Sequence, residues 1–222
     1  MARSTLARLR GRLRPPSKGD AEMAYWSERG AREGVLGNAH YERVFTTQFG
    51  LDARFFDAKR VLYVGCGPRG SMEWATAAAQ RVGLDPLVGR YRALGIDRHA
   101  MQYVAAPAER IPFGDASFDI VASLNSLDHV DDVAAAVAEI TRVAAPAATW
   151  LLTVEIGHEP TATEPHSLGW DVAERVAGWK VQWSARNGLR ADHDIYASID
   201  EDLAYPGDGP GLLRARLTRT AP

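Results

Sequence analysis

An apolar run that breaks into a glycine turn constrains this chain more than any other feature. Residues 61–74 read VLYVGCGPRGSMEW, a strand pattern followed by Gly65, Gly67 and Gly70. Glycines at such spacing stand where a Cβ would block the bend or hold a ligand away from the backbone. A strand that feeds a glycine turn and then a helix, expected here over 71–80, is the opening unit of an open α/β sheet. Such sheets bind ligands at the carboxyl ends of their strands.

The rest of the chain supplies the remaining units. Strands are expected at 60–65, 82–85, 103–105, 118–124, 149–155 and 180–185, with a last, antiparallel strand at 212–217. Helices are expected at 132–144, capped by Asp131 or Asp132, and at 170–177. Strands alternating with helices imply a Rossmann-like, doubly wound, mostly parallel seven-stranded sheet. Residues 187–210 form a long polar connection. Two helical pieces, 21–30 and 38–49, precede the sheet and are expected to cover its carboxyl edge. The domain reading is a basic flexible tail over 1–20, a helical lid over 21–56 and one α/β domain over 57–222.

Charge is uneven along the chain. Residues 1–20 hold six basic side chains against Asp20, so +5 there leaves −7 for the remainder of a chain whose net charge is −2. No aromatic residue interleaves those arginines, which argues against a nucleic-acid stacking platform. A solvated terminus is the expectation. One cysteine, Cys66, excludes an internal disulfide and suits a reducing compartment. No run approaches the roughly 20 apolar residues of a membrane span, and the amino terminus lacks a secretion-signal core. A cytoplasmic address is expected.

Gly65-Cys66-Gly67-Pro68-Arg69-Gly70 fits G-x-G-x-x-G, and Asp85 follows Gly65 by 20 residues. That spacing places an acid beside a ribose, in a dinucleotide or in another adenosine ligand. The downstream residues separate the two. Ala108-Glu109 with Ile111-Pro112-Phe113, then Phe118-Asp119-Ile120-Val121, then the loop 125–130 occur in that order. With the glycine turn they resemble the class I S-adenosylmethionine-dependent methyltransferases, in particular the small type-11 branch, over about residues 57–155.

The resemblance implies a site. Gly65, Gly67 and Gly70 would approach the methionine half of the cofactor, with Cys66 as small filler. Asp85 would hold the ribose hydroxyls, Leu87 would pack on adenine, and Ala108 and Glu109 would line its edge. Leu124 and Asn125 would lie beneath the sulfonium. Where many relatives carry an acid for the cofactor's ammonium this chain has Tyr63, so His40, Tyr41 or Thr46 would have to help. Glu73 is expected to turn away.

Methyl transfer to a hydroxyl needs a base, and histidine suits that role near neutral pH. His129 and His166 are the leading candidates, with His158 third and Asp128 orienting an imidazole. No metal is assigned. Asp131 and Asp132 read as helix-start acids, and magnesium at Asp128 and His129 is only the alternative. The histidines and the polar loop 157–166 favour O-methylation of a small hydroxylated acceptor, a saccharide or oligosaccharide first. N- or C-methylation of a natural product or quinone is the alternative, and a cofactor-binding protein without turnover is a further one.

Overall fold

The computed structural model describes residues 16–220, so the tail expected over 1–20 lies mostly outside the described residues. Its last three positions are not tail. Helix α1, Lys18–Glu33, begins there on a reciprocal cap: Ser17 accepts from the Asp20 amide and the Asp20 carboxylate accepts from the Ser17 amide. A short α2, Tyr41–Phe45, follows, then 3-10 turns at Thr47–Phe49 and Ala53–Phe56.

The sheet strands are β1 Arg60–Val64, β2 Gln80–Leu84, β3 Gln102–Val104, β4 Phe118–Leu124, β5 Ala144–Ile156, β6 Trp179–Asn187 and β7 Gly211–Arg219. Their spatial order is β3-β2-β1-β4-β5-β7-β6. The first five run parallel, and β7 lies antiparallel between β5 and β6. The order reverses between β1 and β4, which opens a crevice at their carboxyl ends. Short helices α3, Val88–Tyr91, and α5, Ile195–Asp200, and the longer α4, Val133–Val143, complete the regular structure. The alternation of side chains along each strand divides the core. Leu62, Val64, Val121, Trp150, Leu152 and Val154 pack with Ala136, Ile140 and Val143 of α4 on one face. Val61, Tyr63, Ile120, Ala122 and Leu151 pack with Phe45, Phe49 and Phe56 on the other.

This division narrows the expected lid. Helix α1 and residues 37 and 39–41 line the crevice; Val44, Phe45, Phe49 and Phe56 are core, roofing one sheet face. Two expected helices are also absent. Residues 71–79 form turns, because the Ser71 carbonyl accepts from the Trp74 indole rather than from an amide one helical turn on, and Ala75 N–H turns back to Met72. Glu73 is held by the Asn38 amide and the Ala100 N–H, which fixes the loop away from helical geometry. Residues 170–177 are likewise turns. Conversely, α5 occupies the polar connection that carried no assignment. Among the described residues no helix is long and apolar enough to cross a membrane.

Candidate active site

The crevice at the strand ends opens into a cavity of about 1860 Å³ between the sheet, α1 and the loops after β4, β5 and β6. A pocket for one drug-sized ligand encloses roughly 300–1,000 Å³. Space for a donor and an acceptor together is therefore present.

The glycine turn does three different things. All three glycines have positive φ, 69°, 55° and 70°. A Cβ on Gly65 would lie 2.3 Å from Ser126 Cβ, so this glycine lets β1 and β4 close at the switch point. Gly67 faces the Trp26 ring of α1 and its N–H donates to Asp85. Gly70 is a correction to the expected set. It lies outside the cavity wall, against Glu73 and His99, and permits the loop rather than a ligand. The neighbouring Arg69, which sequence reasoning passed over, is buried and makes two 2.7 Å bonds to Glu33 at the end of α1. Arg69 holds the Glu33 carboxyl at about 2. The lid helix is thereby latched to the turn it covers.

Asp85 ends β2 as expected and is buried. Its carboxylate accepts from the N–H of Leu87 at 2.8 Å and of Gly67 at 3.2 Å. Burial nevertheless outweighs those bonds and lifts its pKa to about 6. A carboxylate with spare lone pairs in a dry crevice is a receptor for ribose hydroxyls, and their hydrogen bonds would restore its charged form. Leu87, Ala108, Glu109, Leu124, Cys66, Tyr41 and Tyr63 all line the cavity. Glu109 has a second task, accepting from the amides of Asp131 and Asp132 ahead of α4. Cys66 is fully buried, and burial pushes its thiol up, so it stays a neutral filler.

Tyr63 is a buried phenol whose pKa burial raises well above its ordinary value, so it supplies no negative charge. Tyr41 spends its hydroxyl on Tyr196 at 3.1 Å. Thr46 donates to the Glu42 carbonyl and is not in the cavity wall. Asn125 answers the missing acid better. It lines the cavity at φ 46°, and its buried side-chain oxygen has no hydrogen-bond partner. A non-glycine residue in that backbone region at a crevice is a marker of function. An ammonium would satisfy that oxygen. The crevice residues therefore fit S-adenosylmethionine.

The histidines rearrange. His129 and His158 line the cavity, whereas His166 does not: its Nε2 lies 3.0 Å from the Val130 carbonyl oxygen, behind the wall. The expected prominence of His166 is thus corrected, because the loop after β5 folds that ring back onto the loop after β4. Asp128 is also behind the wall, completely buried, with its Oδ2 3.4 Å from His158 Nε2. Burial raises its pKa. Burial alone would lower the pKa of His129, but Glu164, Asp128 and Glu22 outweigh it and the net shift is upward. His129 Nε2 lies 3.5 Å from Glu164 Oε1. No sequence pattern paired Glu164 with His129; the loop 157–166 brings it there.

The matches with known proteins accord with this geometry. A family model described as a methyltransferase domain matches residues 62–152. A demethylmenaquinone methyltransferase of Thermobifida fusca (strain YX) is 34% identical over 129 residues, 57% of this chain and 51% of that protein. A malonyl-[acyl-carrier protein] O-methyltransferase of Pseudescherichia vulneris is 30% identical over 158 residues, 63% of this chain and 61% of that protein. The chain thus spans between half and two thirds of the length of these curated relatives. Among solved structures, the [4+2]-cyclase SpnF superposes with a TM-score of 0.67 at 17% identity, covering 93% of this chain and 97% of that one. An S-adenosylmethionine-dependent methyltransferase of Mesorhizobium loti gives 0.57 at 18% identity, covering 74% and 92%. The cyclase shows that this fold alone does not fix a reaction. Residues 62–152 thus match a methyltransferase domain, and the strand order and the crevice residues accord with an S-adenosylmethionine-dependent one.

Proposed function

We propose that this chain methylates a small, planar, hydroxylated acceptor of the phenol or hydroquinone class, with His158 taking the hydroxyl proton. S-adenosylmethionine, when bound, supplies an electrophilic methyl group on a sulfonium. The chain's own residues do the rest. Asp85 and Asn125 would hold the donor's ribose and ammonium, and α1 keeps the crevice dry. In-line alignment of this kind supplies roughly 7–11 kcal/mol.

The observation that carries the acceptor chemistry is the setting of His158. Its Nδ1 lies 3.0 Å from the Glu159 carbonyl oxygen, and its Nε2 faces the buried Asp128 carboxylate. A neutral ring has one proton for two oxygen partners, so a second proton satisfies both. The acceptor's O–H proton passes to His158 Nε2 as that nitrogen turns from Asp128 to the cavity, and the freed electron pair takes the methyl on oxygen, or on the adjacent ring carbon, which then sheds its own hydrogen as a proton.

The charges and rings of the cavity wall support one class of acceptor. Its part built by residues 125–210 carries Glu155, Glu159, Glu164, Asp192 and Asp194 and, among the described residues, no lysine or arginine. An anionic acceptor such as a malonyl group would meet like charge there. Tyr25, Trp26, Tyr41 and Tyr196 offer ring faces and edges suited to a planar molecule. The demethylmenaquinone methyltransferase relative supports an aromatic acceptor over the saccharide expected first. Incubation with methyl-labelled donor and a panel of hydroquinones, phenols, sugars, amines and dicarboxylates tests this. Label is expected in the phenolic compounds. Label confined to sugars would restore the carbohydrate reading, and label confined to amines or carboxylates would remove the role given to His158.

A further inference from the structure

Two carboxylate oxygens and two imidazole nitrogens converge beside the acceptor half of the cavity. Both Asp128 carboxylate oxygens, His129 Nε2 and His158 Nε2 are buried without a hydrogen-bond partner. Glu164, partly exposed and bonded to Thr161, brings a further carboxylate 3.5 Å from His129. Buried polar groups are almost always satisfied, so a cluster of orphans needs an occupant. One ligand atom each from Asp128, His129 and Glu164 lies within 4.8 Å of the others.

A proton does not answer this cluster. An imidazolium at His129 would serve Glu164 and one at His158 would serve Asp128 Oδ2, but Asp128 Oδ1 would stay unanswered in a dry setting. Lys18 is the single lysine in the cavity wall among the described residues, and its ammonium goes to the His129 backbone carbonyl and to Asp131. That ammonium is thus spent away from Asp128 and Glu164, and no lysine or arginine of the described residues makes an ion pair with either carboxylate.

From this geometry we infer that Asp128, His129 and Glu164 form a binding site for one divalent transition-metal ion of the zinc type. Three protein ligands of mixed nitrogen and oxygen character with an open fourth position are the arrangement of a working zinc site. Tetrahedral ligands about 2.0–2.1 Å from an ion stand roughly 3.3–3.4 Å apart. His129 and Glu164 already meet that spacing, and Asp128 closes it by a movement on the order of 1 Å. An imidazole among the ligands favours zinc, cobalt or manganese over magnesium, which prefers an all-oxygen shell. His129 and Glu164 line the cavity while Asp128 anchors from behind, so the open position faces the acceptor. An acceptor hydroxyl bound there would lose its proton to His158 more readily. His129 is then a ligand rather than the base.

The site deepens the methyl-transfer reading, but its test uses neither donor nor acceptor, so failure here leaves that reading standing. Metal-stripped full-length protein is titrated with Co²⁺ and followed by visible absorption and calorimetry. One equivalent is expected to bind with a ligand-field spectrum of low coordination number, to be displaced by Zn²⁺ and to resist excess Mg²⁺. Glu164→Gln, on a partly exposed loop, is expected to weaken binding by about tenfold or more, and His129→Gln likewise. His193→Ala, at an exposed imidazole near Glu155, is expected to change nothing. Asp128→Asn is expected to abolish binding; should that buried change unfold the chain, the Glu164 and His129 variants decide alone. Absence of saturable binding below millimolar Co²⁺, equal binding by Glu164→Gln, or a sulfur-to-cobalt band placing the ion on Cys66 would each overturn the assignment.

Discussion

Replacing Asp85 by Asn is expected to separate stability from ligand binding in a pH-dependent way. The folded-state pKa of Asp85 is about 6, against an ordinary value of 3.8. Because the folded state binds this proton more tightly, stability is gained as pH falls through 6 and lost as pH rises. The full span, 2.2 pH units, is worth roughly 3 kcal/mol, of which about 1.4 kcal/mol falls between pH 8 and pH 5. At about 2–4 °C per kcal/mol for a chain of this size, Asp85 contributes roughly 3–6 °C to the pH dependence of Tm. Other groups titrate in the same window, so the quantity to measure is the Tm difference between wild type and D85N at each pH. Asparagine never carries the buried charge, but it loses one of the two backbone bonds, at about 1 kcal/mol. D85N is therefore expected to match or exceed wild type at pH 8 and to fall below it at pH 5. S-adenosylhomocysteine binding by calorimetry should weaken at pH 8 by about 10- to 100-fold, the loss of a hydrogen bond to a charged group. A Tm difference that does not change with pH would refute the buried-charge argument, and unchanged affinity would remove Asp85 from the ribose site.

Other outcomes follow from the same crevice. Gly65→Ala combines a positive φ with a 2.3 Å approach to Ser126 Cβ and should cost about 2–5 kcal/mol in denaturant melts; adding Ser126→Gly should recover the steric part only. H158N should lower kcat by about 10²–10⁴-fold, whereas H166N should leave it within about threefold, under roughly 0.7 kcal/mol. R69M should destabilise the fold by only about 1 kcal/mol, since Glu33 is partly exposed, yet it should speed amide exchange across residues 18–33.

The sheet was legible because its signal is local. The short apolar runs in 60–64, 118–124 and 149–155 require nothing beyond neighbouring side chains, and the glycine turn fixes where the first strand ends. Asp85 was read from its spacing after Gly65 and His129 from its place after β4, whereas Leu87, Ala108 and Asn125 were carried over from the family resemblance; all five line the cavity. What sequence missed depends on long-range company. Residues 71–80 carry helix-forming alanines, yet the indole of Trp74 and the grip on Glu73 from Asn38 and Ala100 unwind them. The aromatic residues of 41–56 suit a lid or a core equally, and only the uncovered sheet face decides between them. His166 and His158 share one loop, and its folding alone determines which ring reaches the cavity. Arg69 carried no assignment because its partner Glu33 lies 36 residues upstream.

The turns that replace a helix after Gly70 carry a consequence for ligand choice. Nucleotide folds that grip a diphosphate rely on aligned peptide dipoles aimed at the anion from a helix start. Here that field is missing, and the nearby charged acceptors are the carboxylate of Asp85 and the bare amide oxygen of Asn125. A pyrophosphate would enter this crevice against the local potential, while a sulfonium with an adjacent ammonium would enter along it. Discrimination between two adenosine-bearing metabolites is thus written into the secondary structure that failed to form.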